Sequence, residues 1–193
     1  MQSIAYLAKT LNHLGGLLKT AASIQGKTRK ELRTSLEALA NNFEIGCEEI
    51  IQIKNLVLES CDTPKETLAI VKNGCCMYGD TSDSFDKASK IERVRRRLYG
   101  GEAQILIDRF RSALDPLRYS VELTSLGETQ GHLRVMQDFD YRAYDEFENF
   151  LEQVREAAED NSSKRVKEAC RDLEILMGGI KTEFRKISRG VEI

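Results

Sequence analysis

The chain has 193 residues, 31% of them charged, a formal net charge of -2, two prolines and no tryptophan. That length suits one domain spanning 1-193 and buries a core without covalent staples. The composition excludes collagen-like and Pro/Gly-rich disordered chains, and the near-balanced charge does not call for a polyanionic or polycationic partner.

The first predicted element is a helix over about 3–24. Ile4, Leu7, Leu11, Leu14, Leu18 and Ala21 recur at steps of three and four, which lays one apolar stripe along a helix. Its formal charges are Lys9 and Lys19, and Gly15-Gly16 sit mid-segment. Two uses fit this helix: a central core element, or an amphipathic segment released to a membrane or partner.

After Gln25-Gly26-Lys27, the run Thr28-Arg29-Lys30-Glu31 reads as a capping box opening a long helix to about Ser60. Leu32, Leu36, Leu39, Phe43, Ile50, Ile53 and Val57 form its seam, with Gly46 at one seam position. At 1.5 Å per residue this helix spans ~50 Å, a length that points to an elongated bundle.

Asp62-Thr63-Pro64-Lys65-Glu66 places a cap, a proline at the first helical position and an acid in the first turn. Leu68, Val71, Cys75 and Tyr78 form the expected inner face. A further helix runs from near Ser84 through Ile91, Val94 and Leu98 to Gly100-Gly101. The next carries Ala103, Leu106, Phe110 and Leu114.

Between 119 and 136 the pattern is divided. Tyr119 to Thr124 and Leu133 to Met136 alternate as two short strands would, so a small hairpin competes with helix-loop-helix, the preferred reading. Gly127 to Gly131 is the expected soft joint. Asp138 to Asp160 reads as helix, with Ala143, Phe147, Phe150, Val154 and Ala157 inward and Tyr144 and Leu151 broadening that face. Asn161-Ser162-Ser163 forms a turn. The last helix, about 164–188, has a regular coiled coil-like heptad seam from Val166 through Cys170, Leu173, Met177, Ile180, Phe184 and Ile187 to Val191, which calls for a partner helix in the fold or in another copy. The expected fold is therefore all-α: an elongated, mostly antiparallel bundle of six or seven helices, with 3–24, 28–60 and 164–188 supplying the main core.

Cys47, Cys61, Cys75, Cys76 and Cys170 are odd in number and without repeating spacing, so they read as reduced, mostly buried thiols of a cytoplasmic protein. No metal site, cofactor or catalytic set is expected. His13 and His132 stand in no motif. Asp138 and Asp140 point about 200° apart on a helix and cannot grip one metal together. Neither a signal peptide nor a transmembrane run is apparent.

Ala21-Ala22-Ser23-Ile24-Gln25-Gly26-Lys27-Thr28 resembles the looser form of the P-loop of NTPases, and Ala103 to Asp108 resembles their apolar run ending in a magnesium-holding Asp. The resemblance implies phosphate contact by Lys27 and metal contact by Thr28 and Asp108. It requires a buried strand before the loop, whereas the upstream pattern is helical, so a helix-helix turn is preferred. In layout, a low-charge first helix followed by a long-helix bundle resembles several cell-death executioner domains; no motif is shared.

Two stretches offer contact surface. Lys87, Lys90, Arg93, Arg95, Arg96 and Arg97 make a basic stripe able to hold nucleic-acid or lipid phosphate, or to dock on acid within the fold. The segment Asp138 to Asp160 supplies that acid, with nine acidic against two basic residues. Phe139, Tyr141, Tyr144, Phe147 and Phe150 span more than one helical face, and Tyr141, Tyr144, Phe147 and Phe150 form the candidate interaction surface, with Phe147 or Phe150 at least partly exposed. The expected function is non-enzymatic: a helical, regulatory protein-protein interaction module whose partner is another protein or a second copy of itself as an oligomer. The alternative is an effector that contacts an anionic membrane or nucleic acid through the first helix and the basic stripe.

Overall fold

A computed structural model describes residues 26–73, 90–114 and 123–189, all of whose regular structure is helical. The elements are α1 (Gly26–Glu59), α2 (Pro64–Asn73), α3 (Lys90–Leu98), α4 (Gly101–Leu114), α5 (Leu123–Glu159) and α6 (Ser163–Arg189). The expected first helix, Lys87, Cys75, Cys76, Tyr78 and Val191 lie outside the described residues.

Three long helices carry the core. Phe43 on α1, Phe139 on α5 and Phe184 on α6 meet at one level, with ring centroids 4.1 Å apart for Phe43–Phe184, 5.7 Å for Phe139–Phe184 and 6.1 Å for Phe43–Phe139. Contacts along the helices give their directions. Glu44 pairs with Arg185, Lys54 with Glu174 and Asp62 with Lys167, so α6 runs antiparallel to α1. Arg142 pairs with Glu183 and Arg165 with Glu156, so α6 also runs antiparallel to α5. The seam Val166, Cys170, Leu173, Met177, Ile180 and Phe184 is buried throughout, and its partners are α1 and α5 of the same chain. On α1, Leu39, Phe43, Ile50, Ile53 and Val57 are buried as the spacing predicts, joined by Cys47.

The turns follow from their residues. Ser162 N–H donates to the Ala157 carbonyl at 2.8 Å and Asn161 N–H to that of Ala158 at 3.1 Å, a Schellman closure of α5. Asn161 takes the left-handed conformation this requires, with φ 52°. Between α1 and α2, the buried Thr67 hydroxyl donates to the Ser60 carbonyl at 2.8 Å, and the Ser60 hydroxyl donates to that of Val57 at 3.1 Å. Pro64 opens α2, where its missing N–H is no loss.

The structure corrects four expectations. Residues 133–136 lie within α5, which is continuous from Leu123; neither the hairpin strand nor the loop of a helix-loop-helix forms there, and Gly127 to Gly131 are helical. Once the downstream helix is packed, each added residue gains a hydrogen bond, which offsets a glycine penalty of roughly 1 kcal/mol. Helix α1 begins at Gly26, so Thr28 falls inside its first turn rather than at a cap. In α4 Ile107 is buried as deeply as the expected Phe110, whereas Leu106 is only half-buried. In α2 the inward residues are Thr67 and Ile70, while Leu68 and Val71 are half-buried.

Candidate interaction site

The basic and aromatic stretches come together. Helix α3 lies across α1, α4 and α5 and buries Ile91, Val94 and Leu98, which leaves its arginines around the opposite side. Its close approach to α1 needs Gly46: a Cβ there would stand 2.7 Å from Leu98 Cδ2.

The arginines divide into two sets. Arg95 donates from Nε to Glu148 Oε1 at 2.7 Å and from Nη2 to Glu148 Oε2 at 3.0 Å, and from Nη1 to Glu92 at 2.6 Å. These hydrogen bonds, that to Glu148 first, push the Arg95 pKa above its ordinary value. Arg97 donates to Glu49 at 3.1 Å and to Asn42 Oδ1 at 3.1 Å, while the Asn42 amide donates to the Arg97 carbonyl at 3.0 Å. The stripe is therefore not one continuous cation. Arg95 and Arg97 are docked on acids of the fold, whereas Lys90, Arg93 and Arg96 make no ion pair among the described residues.

At the end of α3 the aromatics gather. Tyr99 stacks on Tyr144 with centroids 4.9 Å apart and planes at 21°, and lies 5.6 Å from Tyr141. Tyr99 is 64% exposed and Tyr141 41%; Tyr144 is half-buried. Burial, followed by the adjacent Glu148 carboxylate, raises the Tyr144 pKa. Phe147 and Phe150 do not belong to this surface. They are 0% and 3% exposed, because α2, α3 and α6 cover the face of α5 that carries them. Tyr99 takes their place, brought 42 positions across the sequence by α3; its only sequence signal is its position beside the basic stripe.

Asp140 lies beneath the tyrosines. It is 5% exposed, and its Oδ1 is buried with no hydrogen-bond partner. Burial raises its pKa to about 8. Asp138, two residues away, is exposed, as their opposed directions on a helix require. Asp140 stands three residues before Ala143 and seven before Phe147, on the core stripe of α5, so the helical period contained the signal for its burial.

Lys27 and Thr28 fall in the first turn of α1, and the segment before Gly26, where the P-loop reading needs a buried strand, lies outside the described residues. Asp108 is an exposed residue of α4 that accepts from Gln104 at 2.9 Å and Arg111 at 3.2 Å. No strand occurs among the described residues. No group of three or more potential metal-ligating side chains occurs among the described residues, and no helix there is long and apolar enough to cross a membrane. Cys47, Cys61 and Cys170 are buried free thiols.

Compared with protein-family models, curated proteins and solved structures, the chain has no match in any of the three. Fold and surface define it as an all-α helical bundle that presents an exposed tyrosine cluster beside arginines.

Proposed function

We propose that the protein is a non-enzymatic interaction module whose Tyr99–Tyr141–Tyr144 face binds another protein. The observation that supports this most is the exposure of Tyr99 and Tyr141 as a clustered pair, the first directly after α3 and the second on α5. Tyrosine and arginine bury large contact areas with few rotatable bonds, and both are enriched where proteins bind tightly. The last helix contributes less than its heptads suggest, since its seam is spent inside the fold; outside it, Ile175 and Leu176 are 66% and 41% exposed. Cytoplasmic location and the segment 3–24 as a further helix of an elongated bundle belong to the same reading. The effector alternative draws less support, because Arg95 and Arg97 are already held by Glu148 and Glu49.

A photo-crosslinking residue at Tyr99 or Tyr141, in the full chain inside cells, tests the proposal. A discrete adduct from these two positions, lost when the other tyrosine is changed to Ala and absent from the exposed Asp172 position, is the expected result. An adduct of twice the chain mass would make the partner a second copy. Adducts of equal yield from Asp172 would overturn the assignment of this face.

A further inference from the structure

We propose that the cavity under Tyr99 and Tyr141 receives one primary ammonium group, held by the Asp140 carboxylate. The cavity has a volume of about 20 Å³ and is lined by Leu98, Tyr99, Gly100 and Ala103 with Gln104, Gln137, Asp140 and Tyr141. A buried carboxylate oxygen without a donor leaves a strong acceptor unsatisfied, which is unfavourable in a packed helix interface. A protonated nitrogen carrying three donors answers that deficit directly.

Size selects among cations. A space this small admits about one water-sized group. An ammonium head is of that size, and a planar guanidinium is not. The lining favours positive charge for two further reasons. The Gln104 and Gln137 side chains carry carbonyl acceptors, and the aromatic residues Tyr99 and Tyr141 stand among the lining. No Lys, Arg or His lines the cavity, so no internal cation occupies the place.

The electrostatics agree with this geometry. Burial alone sets the direction of the Asp140 shift, with no neighbouring positive charge to oppose it. The titratable side chains around it are Tyr99, from the end of α3, and Tyr141, from α5, which line the cavity, and Cys47 of α1; α4 contributes Ala103 and Gln104. An arriving ammonium would favour the ionised carboxylate, so its affinity rises with pH through the titration of Asp140.

The ammonium has two sources: a free small amine, or a lysine side chain of a bound protein. The lysine source rests on the interaction reading above; the chemistry of the cavity does not. The test is an NMR titration of the full chain at about pH 9, a unit above the carboxyl's titration near 8. The probes are methylammonium chloride, potassium chloride at equal ionic strength, and Nα-acetyl-lysine amide. The expected result is a saturable shift of the Asp140 carboxyl carbon and the Tyr99 and Tyr141 amides with methylammonium, absent with potassium. Asp140→Asn weakens binding by about tenfold or more, through loss of charge-assisted hydrogen bonds. Tyr99→Ala, at an exposed position that leaves the core intact, weakens it several-fold and serves if Asp140→Asn does not fold.

Lysine amide binding at least as tightly as methylammonium would point to a protein lysine, and methylammonium alone would point to a free amine. No saturable shift with either amine, an equal response to potassium, or undiminished binding by the variants would overturn the inference. Ammonium binding with no adduct from Tyr99 or Tyr141 would remove the interaction reading alone. An adduct without ammonium binding would remove this inference alone.

Discussion

Arg95 and Glu148 form a two-pronged pair, Nε to Oε1 at 2.7 Å and Nη2 to Oε2 at 3.0 Å, which fastens the short helix α3 to the long helix α5. Both side chains are about one-third exposed, at 38% and 32%. The pair is thus neither dry nor fully solvated. It lies near the end of α3, where Tyr99 stacks on Tyr144, and together with the bonds of Arg97 to Glu49 and Asn42 on α1 it holds that end in place.

The fork gives the first prediction. In a double-mutant cycle over Arg95→Ala and Glu148→Ala, the coupling should be about 1 kcal/mol at low salt and should shrink as salt is added. Arg95→Lys should recover less than half of it, since an ammonium cannot bond both carboxylate oxygens in one plane. Urea unfolding of the four proteins measures the coupling. A coupling of zero would mean that the apolar side of α3, not this pair, sets its position.

The pH dependence of stability isolates Asp140. A carboxyl whose folded pKa is about 8 holds its proton in the folded state where the unfolded chain has lost it. The folded state then binds more protons between about pH 4 and pH 8, so stability falls as pH rises through that window. Glu44 and Asp62 act in the opposite sense. A hydrogen bond from Arg185 lowers the first and one from Lys167 the second, and the stability they supply disappears only as acid protonates them. Among the described groups with a shifted pKa, Asp140 is the one that gives a descending slope between about pH 5 and pH 8, and Asp140→Asn should reduce it. Thermal melts across that range decide the matter: parallel curves for the two proteins would show that the carboxyl is ionised and satisfied when folded.

The three described thiols should be chemically silent. Burial pushes Cys47 up to about 12 and Cys170 up to about 11, and Cys61 is 5% exposed. Alkylation needs the thiolate and access to it. In the native protein at pH 8, iodoacetamide should leave all three unmodified over a time that labels the urea-unfolded chain fully, read peptide by peptide by mass spectrometry. Rapid native labelling of Cys47 would place α1 and α6 in frequent local opening.

Much of this was legible because helical burial repeats with a simple period. The runs 143, 147, 150, 154, 157 and 166, 170, 173, 177, 180, 184 could be read directly and are buried. The reading failed where several apolar residues adjoin. Ile105-Leu106-Ile107 offers three registers, and packing against α1 chose Ile107. It failed again at 133–136, where four residues fit either period and the length of α5 was decided downstream. The candidate surface was half-legible for a related reason. Aromatic spacing shows that some rings must face outward, but only the arrangement of α2, α3 and α6 over α5 determines that Phe147 and Phe150 are inside and Tyr141 is not. Tyr99 joins Tyr144 only through a tertiary contact, which no local pattern encodes.

The glycines separate close packing from helix propensity. An exposed helical glycine replaced by alanine normally gains roughly 0.5–1 kcal/mol, mostly by restricting the unfolded chain. Gly178 and Gly179 on α6 are exposed and have nothing within 4 Å of an added Cβ, so each substitution by Ala should raise stability by about that amount. Gly46 should behave in the opposite way. Its added Cβ meets Leu98 Cδ2 at 2.7 Å and Cγ at 3.1 Å, and Leu98 is 1% exposed with little room to turn. Overpacking of that kind costs about 1–3 kcal/mol, more than the propensity gain, so Gly46→Ala should destabilise. Shortening the opposing side chain provides the check. Leu98→Ala alone opens a cavity and should cost about 2–5 kcal/mol, whereas in the Gly46→Ala background its cost should be smaller, because the new methyl fills part of the space. Strictly additive losses in the double variant would mean that α3 shifts away from α1 instead of holding its place.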